Sequence, residues 1–528
     1  ILRLCTEEGI PCAVFGGSSI RMGPQTPGRL LDLLYEAADA DGGMVYESRG
    51  DTRLFYRTRE SLYNQTPKLA LDYRQHLVPG LQPVSDDQTT VNDMTVSRTN
   101  GSSARYVQST GTLSVQDAPA GVGRYDQAAT VNVLADDVLP DLASWAVHLG
   151  TVDEPRYPSI PINLARNYSL GTAASSLDAG DRLTVANTPA WLPPDGIDVL
   201  AQGFTEAISS TEWGMSFIGS PASPWTVAVT DNPASWTDTD GAVLGAAMTS
   251  TQTSALVCTT SGPVWSTAPA DMPVRLRAGG EVMQASAISS FLRDQFARTV
   301  SSGWGTSDTG QAWARVGGGP ATDYNVTSGY AGQILSTLDT SRRTSVTAAH
   351  PDADLYAEIT TSALAVGDSL FGGVAARMLD ASNMYLLRAE FTTGNLVLLS
   401  VRKIVADVQT QLGAVTLPFT HAVGQWARVR FQIQGSTLRA RGWLSGGPEP
   451  AVWNISVTDS TITAANAIGT RSIRATGNTN TATVEVRYRA IDVINPQTFT
   501  VTRSVNGVVK SQSAATDVRL AAPAITAL

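Results

Sequence analysis

The sequence predicts a mainly β protein with a minor α+β part, in which a small β-domain is split by an inserted β-sandwich. Three observations carry this. In Asn495-Pro-Gln-Thr-Phe-Thr-Val-Thr-Arg-Ser-Val-Asn-Gly-Val-Val-Lys510, Phe499, Val501 and Arg503 alternate with Thr500, Thr502 and Ser504, the period of a half-buried strand. Asn506-Gly507 then offers a tight hairpin turn, and 517–520 reads as a further strand. Some 200 residues upstream, about 274–277 and 281–288 form another hairpin around Gly279-Gly280, which stops at Ser289-Ser290. Between the two hairpins run evenly spaced short strands. A hairpin alone is marginal in water, so the two are expected to share one sheet. Residues 231–288 plus 494–528 then form the split domain, and 289–493 is the insert, entered and left through loop punctuation at Ser289-Ser290 and Asn495-Pro496.

Composition narrows the class. The chain has 528 residues, room for three or four domains, and begins at Ile1 directly in periodic sequence, as the C-terminal part of a longer product would. A net charge of -10 argues against a nucleic-acid footprint. Only Lys68, Lys403 and Lys510 are lysines among 37 basic residues, a bias expected of a GC-rich coding sequence. With only 16% charged residues and many Gly, Thr and Ser, the profile fits an all-β extracellular or virion protein better than a helical cytosolic enzyme. Cys5, Cys12 and Cys258 are odd in number and match no metal spacing, so they read as small buried thiols. No apolar run reaches the ~18 residues of a spanning helix.

Residues 1–65 mix helix and strand. Pro27 opens a helix that places Leu30, Leu31, Leu34 and Ala38 on one face and ends at Asp41-Gly42-Gly43. Residues 44–47 and 53–57 read as a hairpin. A second helix starts near Pro140 with Leu139, Leu142, Ala143, Ala146 and Leu149 inward. Strands follow at 157–164, up to Val185, at 197–208 and at 213–218, then a stiff connector at Ser220-Pro-Ala-Ser-Pro224.

Residues 1–230 resemble the tail hub proteins of long-tailed phages, more narrowly the minor tail proteins of actinobacterial siphophages or their prophages. The carrying residues are Val91-Asn-Asp-Met-Thr-Val-Ser-Arg98, the Gly-Arg-Tyr-Asp at 123–126, the helix around Leu142, Ala179-Gly-Asp-Arg-Leu-Thr-Val185, Gln202-Gly-Phe-Thr-Glu206 and Trp213-Gly-Met-Ser-Phe217. The resemblance implies a tail-hub-like α+β region, a homotrimer, other tail proteins as partners, and a virion tail tip or extracellular phage-tail-like particle as location. Phage tail proteins of this type also carry a contiguous version of the split domain, ending in a similar Phe-Thr-Val-Thr-Arg-Ser-Val-Asn-Gly run.

The insert is expected to hold strands near 334–338, 354–360, 371–379, 384–391, 396–404, 426–434, 437–443, 453–459, 472–475 and 483–489. Phe371-Gly-Gly-Val-Ala-Ala-Arg377, Asp380-Ala-Ser-Asn-Met-Tyr385 and Trp426-Ala-Arg-Val-Arg-Phe431 resemble the concanavalin/laminin-G-like jelly roll, a fold that hosts lectins, glycosidases and spacers.

Chemistry is sparse in this sequence. His76, His148, His350 and His421 sit in no zinc motif and face no nucleophile by spacing, so neither catalytic nor metal residues are assigned, and no cofactor is expected. A jelly-roll glycosidase needs two carboxylates close together, whereas Glu358, Glu390, Glu449 and Glu485 are scattered. Asp380 and Asn383 could ligate calcium but equally suit a turn. Sugar binding needs aromatic faces and polar groups. Trp304, between two glycines, and Trp313 lie in loop-like sequence and are the candidates for exposure; Arg377, Tyr385 and Arg388 are candidates on one sheet face, as either a buried polar network or a binding groove. The expectation is therefore a non-enzymatic tail-tip component displaying a jelly roll toward a cell-wall polysaccharide, with no nucleic acid and no membrane span. The alternatives are a secreted carbohydrate-binding module and a wall-degrading enzyme.

Overall fold

The structure, a computed structural model, describes residues 1–528 except 18, 19, 86, 193–195, 233, 234, 238–240, 349 and 482. The chain is mainly β and forms two compact units, Ile1–Thr237 with Ala522–Leu528, and Asp238–Ala521. Among the described residues no helix is long and apolar enough to cross a membrane.

The first unit holds the helices expected from the sequence, with one change of face. Helix Leu30–Asp41 is closed by Gly42 at φ 72°. It buries Leu34, Ala37, Ala38 and Ala40 and leaves Leu31 exposed, contrary to the expected face. The cause is polar: Asp41 sits on the buried side, where it accepts from the Tyr56 hydroxyl at 2.6 Å and the Arg59 amide at 3.1 Å. Helix Leu139–Gly150, with Pro140 in its first turn, packs on a three-stranded sheet of Ser103–Val107, Asp93–Arg98 and Asp126–Val131. A five-stranded sheet runs in the order Leu69–Asp72, Arg182–Ala186, Ile197–Ile208, Trp213–Pro221, Tyr157–Asn163 around Phe217, Ile160 and Leu183. The Ser220-Pro221 pair belongs to its fourth strand rather than to a connector.

The second unit is organised by one strand, Val484–Thr502, 19 residues long. Its first half is flanked by Tyr330–Leu335 and Ala353–Thr361 (Ala331 opposite Tyr488, Ile359 opposite Tyr488). Its second half is flanked by Glu281–Asp294 and Ser254–Thr259 (Ala285 opposite Val501, Ala255 opposite Phe499). Thus 281–288 and 498–502 are sheet neighbours. The loops expected at Ser289-Ser290 and Asn495-Pro496 are absent: both pairs lie inside continuous strands, and Ser290 faces Gln497. Asn495 explains why a buried polar residue is tolerated there. Its side chain accepts from the Thr259 amide at 2.8 Å and donates to the Thr259 carbonyl at 2.9 Å, as a backbone would.

The turn chemistry is half as expected. Gly279 and Gly280 take φ 53° and 85° between Ala278 and Glu281, the two positive angles a two-residue hairpin needs. Asn506 does not; Ser504 and Gly507 carry the positive φ. The Asn506 amide instead accepts from Val282 N–H at 2.9 Å and donates to the Gly280 carbonyl at 2.9 Å, and 508–510 is not a strand. The chain returns at Val518–Leu520 against Val274–Ala278.

Two sheets of a β-sandwich enclose the main core. One is built on Val484–Thr502 and continues through Ala353–Thr361, Ala427–Gln434, Thr437–Leu444 and Ile455–Thr458. The other has seven strands in the order Ala314–Arg315, Arg342–Thr347, Ala467–Arg474, Leu370–Met378, Met384–Phe391, Leu396–Val405, Val408–Thr420. Tyr488, Phe391, Phe431, Leu387 and Val429 fill the space between them.

His421 lies in this core beside Phe391, with Nε2 2.9 Å from the Thr361 hydroxyl and Nδ1 without a hydrogen bond. Burial pushes its pKa down to about 4. The folded state therefore holds the ring neutral while the unfolded chain binds a proton below its ordinary value near 6.5. Its stability contribution is full above pH ~6.5 and falls as pH drops toward ~4, by on the order of 3 kcal/mol. Urea midpoints between these pH values should fall for the native chain and fall less for His421→Gln; equal slopes would contradict the assignment.

Candidate functional site

Alternation along the seven-stranded sheet sorts its residues. Tyr385, Leu387, Ala389 and Phe391 point into the core, so Leu386, Arg388 and Glu390 face outward. Register then places a row across the outer face: Arg343 opposite Arg471, Arg471 opposite Gly373, Gly373 opposite Arg388, Arg388 opposite Ser400. Arg402 lies on the same face, two residues from Ser400. Phe371 occupies the next row beside Glu390. Gly373 is required by packing: a Cβ there would come within 2.4 Å of the Leu387 carbonyl oxygen.

This face is a trough. Three strands separate Val408–Thr420 from Ala467–Arg474 in the sheet, about 19 Å if the sheet were flat. Yet Asp407 reaches Arg343 at 3.4 Å, and Gln409, with its amide oxygen turned inward, accepts from both terminal nitrogens of Arg471 at 3.2 and 3.1 Å. The sheet therefore curls, and the 405–408 hairpin tip bends over its own outer face. Ala406 and Asp407 form that tip with φ 49° and 63°, an unfavourable geometry for Ala. Ser382 fixes it by donating from its hydroxyl to Asp407 at 2.7 Å. Ala375, Met378, Met384, Leu386 and Ile404 form a buried apolar plug on this face.

The trough is rich in guanidinium groups. Arg388 lies 4.3 Å above the Phe371 ring centroid and donates to Glu390 at 3.0 Å. Arg402 donates to Ser400 at 3.2 Å and Gln411 at 3.0 Å. Burial pushes Arg388 and Arg471 down to about 10, helped by Arg402 on the first and by Arg343 and Arg388 on the second. Arg343 and Arg402 are lowered too, again by burial. All four remain charged at neutral pH. The buried Nε atoms of Arg343, Arg388 and Arg471 make no hydrogen bond within the protein.

The outer face of the opposite sheet differs. There Arg428 and Arg489 meet Glu358, Arg430 meets Asp354 and Glu449, Arg441 meets Glu449 and Arg487 meets Glu485, at 2.6–3.7 Å. Trp426, Tyr356, Trp443, Trp453 and Tyr330 lie under these guanidinium groups. On that face each of these five guanidinium groups is ion-paired.

The residues singled out from sequence are dispersed. Trp304 and Trp313 are not exposed: they are 1% and 9% accessible, packed edge-to-face at 5.1 Å beside Phe296. Their indole N–H groups are used internally, on the Gly332 carbonyl at 3.0 Å and on Asp294 at 2.8 Å. The glycines that made Trp304 look loop-like let its loop fold back into the core. Arg377 and Tyr385 are buried and both grip Ile462, through its carbonyl at 2.8 Å and its amide at 3.1 Å; they do not share a face with Arg388. Of the five, Arg388 alone lies in the trough. Arg343, Arg402, Arg471 and Phe371 were not singled out, because only strand register assembles them.

Asp380 accepts from the Asn383 amide with both oxygens, at 3.0 and 2.9 Å, which serves as turn chemistry. The structure places His350 against Cys258, a pairing that spacing did not reveal, with Nδ1 3.0 Å from Sγ. Cys258, His350 and Asp352 bring S, N and O ligand atoms within 4.8 Å of one another. Asp352 is already held by Arg377 and the Gly435 amide, and His350 Nδ1 accepts from the Asp352 amide. Burial raises the Cys258 thiol, which keeps it protonated and a poor nucleophile. In the trough, Glu390 is held by Arg388 and Ser369.

No family model matches the chain, and no curated protein matches it. Among solved structures, the chain is similar to a carbohydrate-binding module from Bacillus subtilis (14% identity, 34% of this chain and 92% of that one, TM-score 0.26). It is also similar to a β-glucanase of Bacillus licheniformis (13% identity, 39% and 97% covered, TM-score 0.30). A third is a β-1,3-glucanase of Mycobacterium marinum (9% identity, 39% and 98% covered, TM-score 0.28).

Proposed function

We propose that this chain acts by binding rather than by turnover, holding a polysaccharide of a cell surface in the trough of its seven-stranded sheet. The observation that carries the reading is the curled outer face itself: a concave floor on which the Phe371 ring lies under the Arg388 guanidinium beside a row of hydrogen-bonding side chains. Polar groups of such a floor take the hydroxyls of a sugar. Glycoside hydrolysis needs two carboxylates free to act across the bond, whereas Glu390 is held by Arg388 and Ser369 and Asp407 by Arg343 and Ser382. In the finer reading, taken from the resemblance of residues 1–230, the chain is a homotrimeric tail-tip or hub component of an actinobacterial siphophage or prophage particle. It works among other tail proteins and displays the sandwich toward the host wall.

Phe371→Ala should weaken retention of the chain on host wall polysaccharide by roughly tenfold, as truncating an interface aromatic does. Pull-down on purified wall fractions measures it. Unchanged retention would remove the trough from the reading, and release of reducing sugar would replace binding with hydrolysis. Presence of the chain in purified virions, with a trimeric mass by light scattering, tests the particle role; a strict monomer absent from virions would favour a secreted binding module.

A further inference from the structure

We infer that the ligand of the trough is an anionic polysaccharide, one bearing phosphodiester or carboxylate groups; this rests on the binding reading above and names its substrate class. The hydroxyls of a neutral sugar donate as well as accept, so a site for it offers acceptors beside its donors. Guanidinium groups only donate. Across the middle of the trough stand Arg343, Arg471, Arg388 and Arg402, faced by Glu390 and Asp407. Glu390 pairs with Arg388 and Asp407 with Arg343, which leaves Arg471 and Arg402 without a carboxylate partner among the described residues. Arg471 is 6% accessible, and its polar partner in the trough is a neutral amide, Gln409. Three buried Nε–H groups lack an acceptor within the protein. Holding like charges this close in a recessed face is costly unless an anion spans them. On the outer face of the opposite sheet, where Arg428 and Arg441 also keep an Nε without a partner among the described residues, each of the five arginines named above meets a carboxylate, whereas in the trough Arg402 and Arg471 meet none. Arginine also sets the geometry: its planar fork engages two oxygens of one phosphate or carboxylate at once. The apolar cluster at Met384 and Leu386 bounds the arginine row on one side, and a polymer would set its anionic groups over that row.

The test uses the full chain and three soluble polymers of matched length: a glycerol-phosphate polymer, a polyuronate and a neutral glucan, with duplex DNA as a further arm. Affinities are read by calorimetry. One or both polysaccharide-type polyanions should bind at least about tenfold tighter than the neutral glucan, and raising salt from about 50 to about 300 mM should weaken them several-fold. The phosphate and uronate arms separate the two sources of charge. Arg388→Gln and Arg402→Gln should each lower that affinity by about fivefold or more while leaving the glucan value unchanged. Arg439→Gln, on the opposite sheet, should change nothing. Thermal melts of each variant exclude unfolding, and Arg402, which is partly exposed, keeps the test valid if Arg388→Gln is unstable. Glucan binding equal to that of the polyanions and indifferent to salt would overturn the anionic class while leaving polysaccharide binding standing. Binding of no polymer by folded protein would overturn both. DNA bound as tightly as the polyanions would show that the trough reads bare charge, which also overturns the inference.

Discussion

Trp304→Ala is expected to destabilise the sandwich by about 3–5 kcal/mol and to leave ligand affinity unchanged wherever the protein remains folded. The indole is 1% accessible and lies among Phe296, Trp313 and Tyr488, with ring centroids at 5.6, 5.1 and 5.7 Å. Truncation opens a cavity that the flanking strands cannot close, because Tyr488 is held by the Gly373 amide and the Ser472 hydroxyl. It also orphans the Gly332 carbonyl that receives the indole N–H. Trp304→Phe should cost less, since it keeps most of the ring volume and loses the hydrogen bond. Chemical denaturation of the three proteins, with wall pull-down below the transition, checks both halves. A Trp304→Ala protein of native stability with lost binding would return this residue to the surface role its flanking glycines suggest.

Glu281→Ala should cost a comparable ~3–5 kcal/mol in the split sheet, because it strands a buried cation. Glu281 is fully buried and accepts both Arg503 bonds at 2.7 Å, with Gln512 at 3.1 Å and the Ser504 amide at 3.3 Å completing its shell. Burial alone would raise the carboxyl pKa, but Arg503 and Gln512 outweigh it and hold the group below its ordinary range. The linked stability is therefore present at neutral pH and is lost as pH falls through the carboxylate range. Hydrogen exchange at 282–285 and 499–502 should accelerate selectively in Glu281→Ala. Glu281→Leu combined with Arg503→Leu should recover much of the loss, since an apolar pair of similar volume avoids the desolvation cost. Exchange rates unchanged in the single variant would mean that the pair contributes nothing.

Arg503 also shows how the sequence could be read. Its alternation with Thr502 and Ser504 groups it with Phe499 and Val501, and the structure explains a charge there by Glu281. Met384–Phe391 and Thr437–Leu444 are legible as strands, whereas Arg342–Thr347 is not, because its Arg-Arg-Thr-Ser run shows no apolar alternation. Val408–Thr420 was missed because an edge strand exposes residues on both faces and shows no alternation. The site was harder still. Arg343, Arg388, Arg402 and Arg471 come from four strands, and each alone looks like an ordinary outward residue. Only pairing register puts Arg343, Arg471 and Arg388 in one row, with Arg402 in the next row opposite Leu386. Trp304 and Trp313 failed in the opposite sense, since local loop character says nothing about where a loop folds.

The continuous strand Val484–Thr502 has a mechanical consequence. It pairs with partners along both edges, first in the sandwich and then in the split sheet. A pull on a ligand held by the sandwich travels along the strand axis, perpendicular to its hydrogen bonds. Those bonds are then loaded side by side in shear, and the tension is divided among many of them. A flexible linker at Ser289-Ser290 and Asn495-Pro496 would instead have let the sandwich swivel and its edges peel one bond at a time. The second unit is thus built to pass tension along this strand from the sandwich sheet that contains it into the split sheet.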